Sequence, residues 1–168
     1  MAGLQQLIKN IEQWAEDRNL IEGSTPQKQF IKLMEEFGEL CSGVAKNKPD
    51  VIKDSIGDCF VVMVILNKQT HSKFDFIPLT YALRGYVGID TWIEKITGKF
   101  ASISEKINYT GKANRFLCYD LGYALFCLTM IAQEFGLCLH ECVQAAWDEI
   151  KDRKGHMVNG VFVKEGDL

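Results

Sequence analysis

The chain has 168 residues, 47% of them hydrophobic and 24% charged, which suits one compact globular domain. Its net charge of −3 and lack of a long basic run argue against binding to nucleic acid through phosphate contacts, so we expect no nucleic-acid polymer as a partner. The six cysteines form no C-x-x-C pair, and the first residues lack the layout of a signal peptide, so we expect a cytoplasmic protein.

Helical periodicity dominates the first part of the chain. Residues 4–18 alternate apolar and polar side chains at helical spacing and predict a first helix. Thr25 suits the N-cap of a second helix over 26–46, which has Pro26 at its first position. A third helix is predicted over about 49–69. After Asp58 this helix is apolar on every side, which indicates that it is buried.

The second part is also predicted to be helical, after an irregular stretch at 70–90. Helices are expected over about 91–107, 114–135 and 139–154, followed by a small hairpin around Asn159 and Gly160. No segment has the pattern of a core strand, so the predicted fold class is all-α, an antiparallel helical bundle with a small C-terminal hairpin.

Two apolar runs raise the question of a membrane span. Residues 59–66 are too few to cross a bilayer. Residues 116–132 also fall short of the roughly 20 residues that a span needs, and Asp120 interrupts them. We therefore interpret both runs as buried core helices and expect no membrane association.

Two pairs of segments resemble each other. Residues 55–66 resemble 120–131 at an offset of 65, and residues 37–46 weakly resemble 97–106 at an offset of 60. This pattern indicates either an internally duplicated helix pair or a chance similarity between amphipathic helices. We interpret 1–168 as a single domain in which 70–113 is an insertion or a degenerate repeat. In a duplicated pair, Lys99 would replace Glu39 and Tyr123 would replace Asp58.

The stretch KLMEEFGEL, residues 32–40, carries three glutamates, Glu35, Glu36 and Glu39. At about 100° per residue they all lie away from the apolar stripe led by Phe37, which taken alone is typical of a solvated face. The small residues on the same side would let another backbone approach closely, which a solvated face does not require.

The next helix changes this interpretation, because Asp54 and Asp58 lie four residues apart and share a face. A carboxylate near the interior must be protonated, paired or bound to a metal. The neighbouring helix offers more glutamates rather than an obvious cationic partner. Oxygen ligands without an obligatory histidine suit Mg²⁺, with Mn²⁺ as the alternative. We therefore predict a metal site from five acids: Glu35, Glu36, Glu39, Asp54 and Asp58.

These motifs resemble those of a known protein family. Glu36-x-x-Glu39, followed by a helix with S-I-G-D ending at Asp58, resembles the E-x-x-E and E-x-x-D motifs of the MazG-like all-α nucleoside triphosphate pyrophosphohydrolases. The lead-in at 14–40 and the tail at 146–166 are similar to that family as well. The resemblance covers about residues 11–69 and 114–166.

The resemblance implies metal-dependent hydrolysis of a (deoxy)nucleoside triphosphate between its α and β phosphates, which releases the monophosphate and pyrophosphate. It implies that Glu36, Glu39 and Asp58 are metal ligands, and that Glu35 is a further ligand or the base that orients water. The second motif departs from the family at Ser55, where the family has glutamate. Asp54, one residue earlier, is the candidate to replace it.

Phosphates also require cations. Lys32 lies one turn before Glu36, and by resemblance the basic tail contributes Lys151, Arg153 and Lys154, which alternatively serve as favourable charges at a helix C-terminus. Gln29 is a candidate for contact with the base. Trp14 is another such candidate, or a core residue.

Other interpretations carry less weight. The stretch Cys138-x-His140-x-Cys142 lacks the four-ligand spacing of a zinc site. The alternative from a different class is a catalytically decayed nucleotide-binding or structural helical protein, which Ser55 motivates. Because helices this apolar often bury faces against a partner, we also expect a homodimer or homotetramer.

Overall fold

A computed structural model describes residues 2–76, 87–107 and 115–167. These residues form six α-helices, an antiparallel hairpin and a short 3-10 helix. In chain order they are α1 (Ala2–Asp17), α2 (Pro26–Ala45), α3 (Pro49–Thr70), α4 (Ile89–Lys106), α5 (Arg115–Glu134), α6 (Leu139–Ile150), β1 (Gly155–Val158), β2 (Val161–Lys164) and the 3-10 helix Glu165–Asp167. The all-α prediction is confirmed, since the only strands in the described part of the chain are the two of the hairpin. Within the stretch 70–90, residues 77–86 lie outside the described residues, as does residue 114, the predicted start of the fifth helix.

Local sequence explains where α2 and α3 begin. Thr25 is the N-cap of α2, and its side chain accepts a hydrogen bond from the Lys28 backbone N–H at 3.2 Å. Pro26 and Pro49 take the first positions of their helices, where a missing N–H costs nothing. The helix α3 ends at Thr70, and the C-cap residue His71 has the left-handed conformation, with a φ of 52°.

The centre of the bundle is α3, which contacts α1, α2, α5 and α6. Every residue from Cys59 to Asn67 is buried, as its uninterrupted apolar sequence predicted. Close packing depends on glycine in two places. A Cβ on Gly43 of α2 would lie 3.0 Å from the Ile52 side chain, and one on Gly57 would meet the backbone of Cys142 on α6.

The helices α4 and α5 pack as a second pair beside α2 and α3. The rings of Phe37 on α2 and Phe100 on α4 meet edge to face, with centroids 5.1 Å apart. By length and composition alone, Phe116–Glu134 could cross a membrane, but 61% of it is buried inside the protein, so it is weak evidence for a span. Duplication of the helix pair stays a prediction.

The last helix is shorter than predicted, and this part of the prediction was wrong. We expected it to reach about residue 154, but α6 ends at Ile150. Side chains of α1 and of the turn after it satisfy the carbonyl groups at this end: the Trp14 indole N–H donates to Ile150 O at 2.8 Å, and the Arg18 guanidinium donates to Arg153 O at 2.9 Å. These hydrogen bonds stabilise the end of α6, after which the chain turns and continues into β1.

The hairpin follows the predicted turn. Val158 pairs with Val161 across Asn159 and Gly160, which both have positive φ, as this type of two-residue turn requires. The hairpin folds back on the helices, because Phe162 meets Trp14 edge to face with centroids 6.0 Å apart. The Lys28 ammonium also donates to Asn159 O at the turn.

Candidate functional site

A cavity of about 440 Å³ opens between α1, the start of α2, the middle of α3 and the hairpin. Its charged lining consists of Lys28, Lys32, Glu35, Glu36, Asp58, Arg153 and Lys164. Its apolar lining includes Trp14, Leu20, Val61, Val62, Ile65, Ile150 and Phe162. Along α3 the lining changes from carboxylate at Asp58 to hydrocarbon at Ile65 over about 10 Å, given the helical rise. The cavity therefore offers charged groups and an apolar wall to the same ligand.

Glu36 is the most buried acid of the cavity, with 5% of the residue exposed. Its carboxylate accepts an ion pair from Lys32, one turn earlier on α2, at 2.6 Å. The same ammonium lies 3.0 Å from Glu35, which is more exposed. Burial raises the pKa of Glu36, while the hydrogen bond from Lys32 opposes that rise. Although helical spacing predicted a solvated face for Glu36, α2 buries this carboxylate at the cavity wall.

Asp58 is half-buried on α3 and faces the same cavity. Burial raises its pKa from 3.8 to about 7. The negative charges of Glu36 and Asp54 raise the pKa further, whereas Arg153 lowers it. The sequence analysis considered Arg153 and Lys32 as cations for phosphate and did not predict that Arg153 would lie near Asp58 or that Lys32 would pair with Glu36. Even with both cations nearby, burial and repulsion between the acids at this end of the cavity favour a proton on Asp58.

Two of the five predicted metal ligands do not line the cavity, namely Glu39 and Asp54. Both side chains are exposed, although Asp54 lies close enough to Glu39 for that charge to raise its pKa, after the larger effects of burial and Glu149. Ser55 is 1% exposed, and its hydroxyl has no hydrogen-bond partner among the described residues. Asp54 is thus exposed beside the buried Ser55, and its role as a replacement for the family's glutamate stays a prediction.

The carboxylates suit a hard divalent cation in kind and in charge, and those on the cavity wall are Glu35, Glu36 and Asp58. Their present positions do not form a closed cage. Within the described residues, no three His, Cys, Asp or Glu side chains converge closely enough to hold a metal ion. A bound cation would therefore require side-chain rotations, beginning with the Glu36 carboxylate that Lys32 now holds.

The predicted basic tail divides into two parts. Arg153 lines the cavity and pairs with Glu149, whereas Lys151 and Lys154 are exposed and do not line it. Lys151 instead pairs with Asp148 at 2.7 Å. This division follows from the early end of α6, because the residues after it no longer follow a helical face.

Gln29 and Trp14, the two candidates for contact with a base, both line the cavity and are both buried. The Gln29 amide donates to the Ser24 hydroxyl at 3.1 Å, which holds a polar group in place beside the apolar wall. Trp14 has already used its N–H on Ile150 O, and its ring carries the Arg18 guanidinium 4.8 Å from its centroid. Trp14 thus contributes shape rather than a hydrogen bond.

Sequence reasoning missed the contribution of the hairpin. Val161, Phe162 and Val163 cover the cavity, and Lys164 adds a cation. The Asn159-Gly160 turn predicted the hairpin itself but gave no sign of where it would dock. The aromatic residues Trp14 and Phe162, far apart in the chain, were the only available hint of that contact.

A second charged cluster lies between α4 and α5, outside the cavity. Asp120 is 2% exposed and accepts hydrogen bonds from Lys99 at 3.1 Å, Ser102 at 2.8 Å and Lys106. These contacts lower the pKa of Asp120, although burial acts in the opposite direction. The cluster ties α4 to α5 through a buried ion-pair network, so it has a structural explanation.

A family model matches the stretch of the chain that carries the predicted acids. The model of the MazG nucleotide pyrophosphohydrolase domain family matches residues 24–108, a stretch that contains α2, α3 and their carboxylates. A 71-residue stretch of the chain is 93% identical to an "Uncharacterized 18.2 kDa protein in rep-hol intergenic region" of Haemophilus phage HP1 (strain HP1c1). That stretch covers 42% of this chain and 44% of the phage protein. No solved structure matches the chain.

Proposed function

Since the chain belongs to the MazG nucleotide pyrophosphohydrolase domain family, we propose that it hydrolyses a nucleoside or deoxynucleoside triphosphate to the monophosphate and pyrophosphate, with Mg²⁺ or Mn²⁺ as cofactor. The observation that carries this proposal is the shared cavity wall of Glu36 and Asp58. Two carboxylates face one cavity beside several cations, and the pKa of Asp58 is raised to about 7. Strongly shifted pKa values in a cleft are typical of functional sites.

The donor set supports a divalent cation. Glu36 and Asp58 would hold it, and Glu39 lies on the exposed continuation of the same helix face. When bound, the cation neutralises polyphosphate charge and lowers the pKa of a coordinated water. The excess of negative charge that raises the Asp58 pKa is the charge that such a cation would balance.

The remaining lining residues suit the other parts of a nucleotide. Lys28, Lys32, Arg153 and Lys164 offer positive charge to phosphate oxygens. The apolar wall along α3 and the hairpin suits the face of a base, and Gln29 presents a fixed amide to the base edge. The cavity volume of about 440 Å³ lies within the usual range for small-molecule sites, roughly 300–1,000 Å³.

Glu35 is placed to act on water. It lies at the cavity edge with its side chain 58% exposed, and Lys32 holds its carboxylate at 3.0 Å. A carboxylate that is solvent-accessible and fixed in orientation can accept a proton from an attacking water. We assign it this role in preference to Glu39, which does not line the cavity.

A pyrophosphate-release assay over a panel of nucleoside triphosphates with Mg²⁺ or Mn²⁺ tests the proposal. We expect turnover of at least one nucleotide, loss of turnover when EDTA is added, and a loss of about 100-fold or more in Glu36→Gln. Glu105→Gln is the matched control, because Glu105 is an exposed glutamate on α4 away from the cavity. Its turnover should equal that of the wild type.

Ser55 favours one alternative, a protein that binds nucleotides without hydrolysing them, because a buried serine stands where the family has a glutamate. Nucleotide binding by calorimetry with no turnover in any metal would support that alternative over the enzyme. Equal turnover in the wild type and Glu36→Gln would also contradict the proposed role of the acids.

A further inference from the structure

The Arg18 guanidinium clamps the backbone of the segment that follows α6. Arg18 lies in the turn after α1, and its Nε–H and Nη2–H groups both donate to Arg153 O, at 3.1 and 2.9 Å. Nη2 also donates to Lys151 O at 3.4 Å. Because the guanidinium is planar and rigid, two of its N–H groups on one oxygen fix the direction of that carbonyl as well as its distance.

The clamp is itself held in place by α1. The guanidinium lies over the ring of the buried Trp14, 4.8 Å from its centroid, and donates to Trp14 O at 3.5 Å. In the part of the chain that the structure describes, no carboxylate forms an ion pair with Arg18. Its hydrogen bonds therefore go to backbone carbonyls, and they tie the segment after α6 to the end of α1.

Arg153, the residue with the clamped carbonyl, is also the residue whose side chain reaches the cavity. Two other basic residues, Lys151 and Lys154, lie in the same segment, but both are exposed and neither lines the cavity. Since α6 ends at Ile150, no helical face determines which of the three side chains points inwards. The contact with Arg18 supplies that missing constraint.

The Arg153 side chain keeps donors for a ligand. Its backbone N–H donates to Ile150 O at 2.9 Å, and its guanidinium pairs with Glu149 on α6. A guanidinium has more N–H donors than one ion pair uses, so others remain for phosphate oxygens. The side chain is 23% exposed and lines the same cavity as Glu36 and Asp58. Arg153 is therefore anchored and still accessible from the cavity.

We propose that Arg18 is a positioning residue of the phosphate-binding part of this site. By clamping the backbone of Arg153, it holds that guanidinium in the cavity, where it binds a phosphate oxygen. Arg18 does not line the cavity, so it acts through Arg153. A side chain that is already ordered binds more tightly than a mobile one, because ordering it does not oppose binding. The inference deepens the proposed function and rests on it, since it concerns the same cavity.

A double-mutant cycle tests this with inorganic tripolyphosphate, whose binding in the presence of Mg²⁺ is measured by calorimetry. Arg153→Met should weaken binding about tenfold, the loss expected for one hydrogen bond to a charged group. Arg18→Met should weaken it by nearly as much, about five- to tenfold. The double variant should bind no more weakly than Arg153→Met alone, because Arg18 then has no guanidinium to position.

Arg18→Lys separates the clamp from a simple effect of charge. Lysine keeps the positive charge but lacks a planar pair of donors, so Arg18→Lys should also bind more weakly than the wild type. This variant takes the place of Arg18→Met in the cycle if circular dichroism shows that Arg18→Met does not fold. Lys9→Met is the control for loss of a cation from α1. Lys9 is exposed and outside the cavity lining, so binding should be unchanged.

Additive losses, with the double variant about 100-fold weaker than the wild type, would overturn the inference and leave the proposed function intact. Wild-type affinity in folded Arg18→Met or Arg18→Lys would also overturn it, because the clamp would then have no effect on phosphate binding. A wild type that binds no tripolyphosphate would overturn the inference, and one that also hydrolyses no nucleotide would overturn both proposals together.

Discussion

Replacing Asp58 by asparagine should stabilise the metal-free protein at alkaline pH and abolish its activity. In the unfolded chain this carboxyl ionises near pH 3.8, whereas in the folded protein burial and neighbouring acids raise its pKa to about 7. Between these values the folded state binds the extra proton, so the free energy of unfolding falls as pH rises. The asparagine side chain has no ionisable group, so the variant does not undergo this loss of stability.

The expected gain in stability can be worked out from the pKa shift of Asp58. A difference of about 3 pH units, at about 1.4 kcal/mol per unit, sets a ceiling of about 4 kcal/mol. Because Asp58 is only partly buried and solvent reaches its carboxyl, we expect about half of this, ~2 kcal/mol above pH 7. For a chain of this length that corresponds to a rise of about 4–8 °C in melting temperature.

The assay is thermal unfolding followed by circular dichroism in EDTA, at pH values from 4 to 8. The stability gain of Asp58→Asn should be near zero at pH 4 and grow up to about pH 7. Asp50→Asn is the matched control, because Asp50 is an exposed aspartate on the same helix. A variant that is less stable than the wild type at pH 8, or a gain that does not depend on pH, would refute the reasoning.

Three further predictions concern helix packing, the ion pairs of Asp120 and the reactivity of the cysteines. In a denaturant melt, Gly57→Ala should lower the free energy of unfolding by about 2 kcal/mol, because its Cβ would meet Cys142 O and lie 2.8 Å from the Ala146 Cβ. Gly38→Ala is the control: its Cβ has open space, so the free energy of unfolding should rise by about 0.5–1 kcal/mol. In the same assay, Asp120→Ala should lower the free energy of unfolding by about 3 kcal/mol, because Lys99 and Lys106 lose their shared buried partner. An unchanged unfolding midpoint would show that these ion pairs do not stabilise the fold. In the native protein a thiol reagent should modify the exposed Cys138 first and leave Cys127 unmodified, because burial raises the pKa of Cys127 to about 12. Mass spectrometry of the digested protein identifies which cysteine has reacted.

The sequence was most informative where the structure depends on short-range patterns. The starts of α2 and α3 followed from Thr25, Pro26 and Pro49, and the hairpin followed from the Asn159-Gly160 turn. The family resemblance, based on the acids of α2 and α3, is confirmed by the match over residues 24–108. These features depend on neighbours within a few positions.

Features that depend on long-range contacts could not be predicted in this way. The end of α6 is determined by Trp14 and Arg18, more than 130 residues earlier in the chain. Docking of the hairpin, which brings Arg153 and Lys164 to the cavity, likewise needs the folded α1. Because the sequence shows only the local helical pattern, our prediction extended α6 beyond its end at Ile150.

The acidic residues of α2 and α3 depend on both short-range patterns and long-range contacts. Helical spacing correctly placed Asp54 and Asp58 on one side of α3, but the approach of neighbouring elements buries Asp58 and leaves Asp54 exposed. The four-residue spacing of Lys32 and Glu36 allowed their ion pair to be predicted, but the sequence analysis considered Lys32 only as a phosphate ligand, a role that stays a prediction. The oligomeric state and the cytoplasmic location stay predictions.

Product analysis is the most direct test of the central claim, hydrolysis between the α and β phosphates. The protein is incubated with a nucleoside triphosphate and Mg²⁺, and the products are identified by phosphorus nuclear magnetic resonance. Our account predicts nucleoside monophosphate and pyrophosphate in equal amounts, with neither product formed by Asp58→Asn. Formation of the diphosphate and inorganic phosphate, or equal product formation by Asp58→Asn, would contradict it.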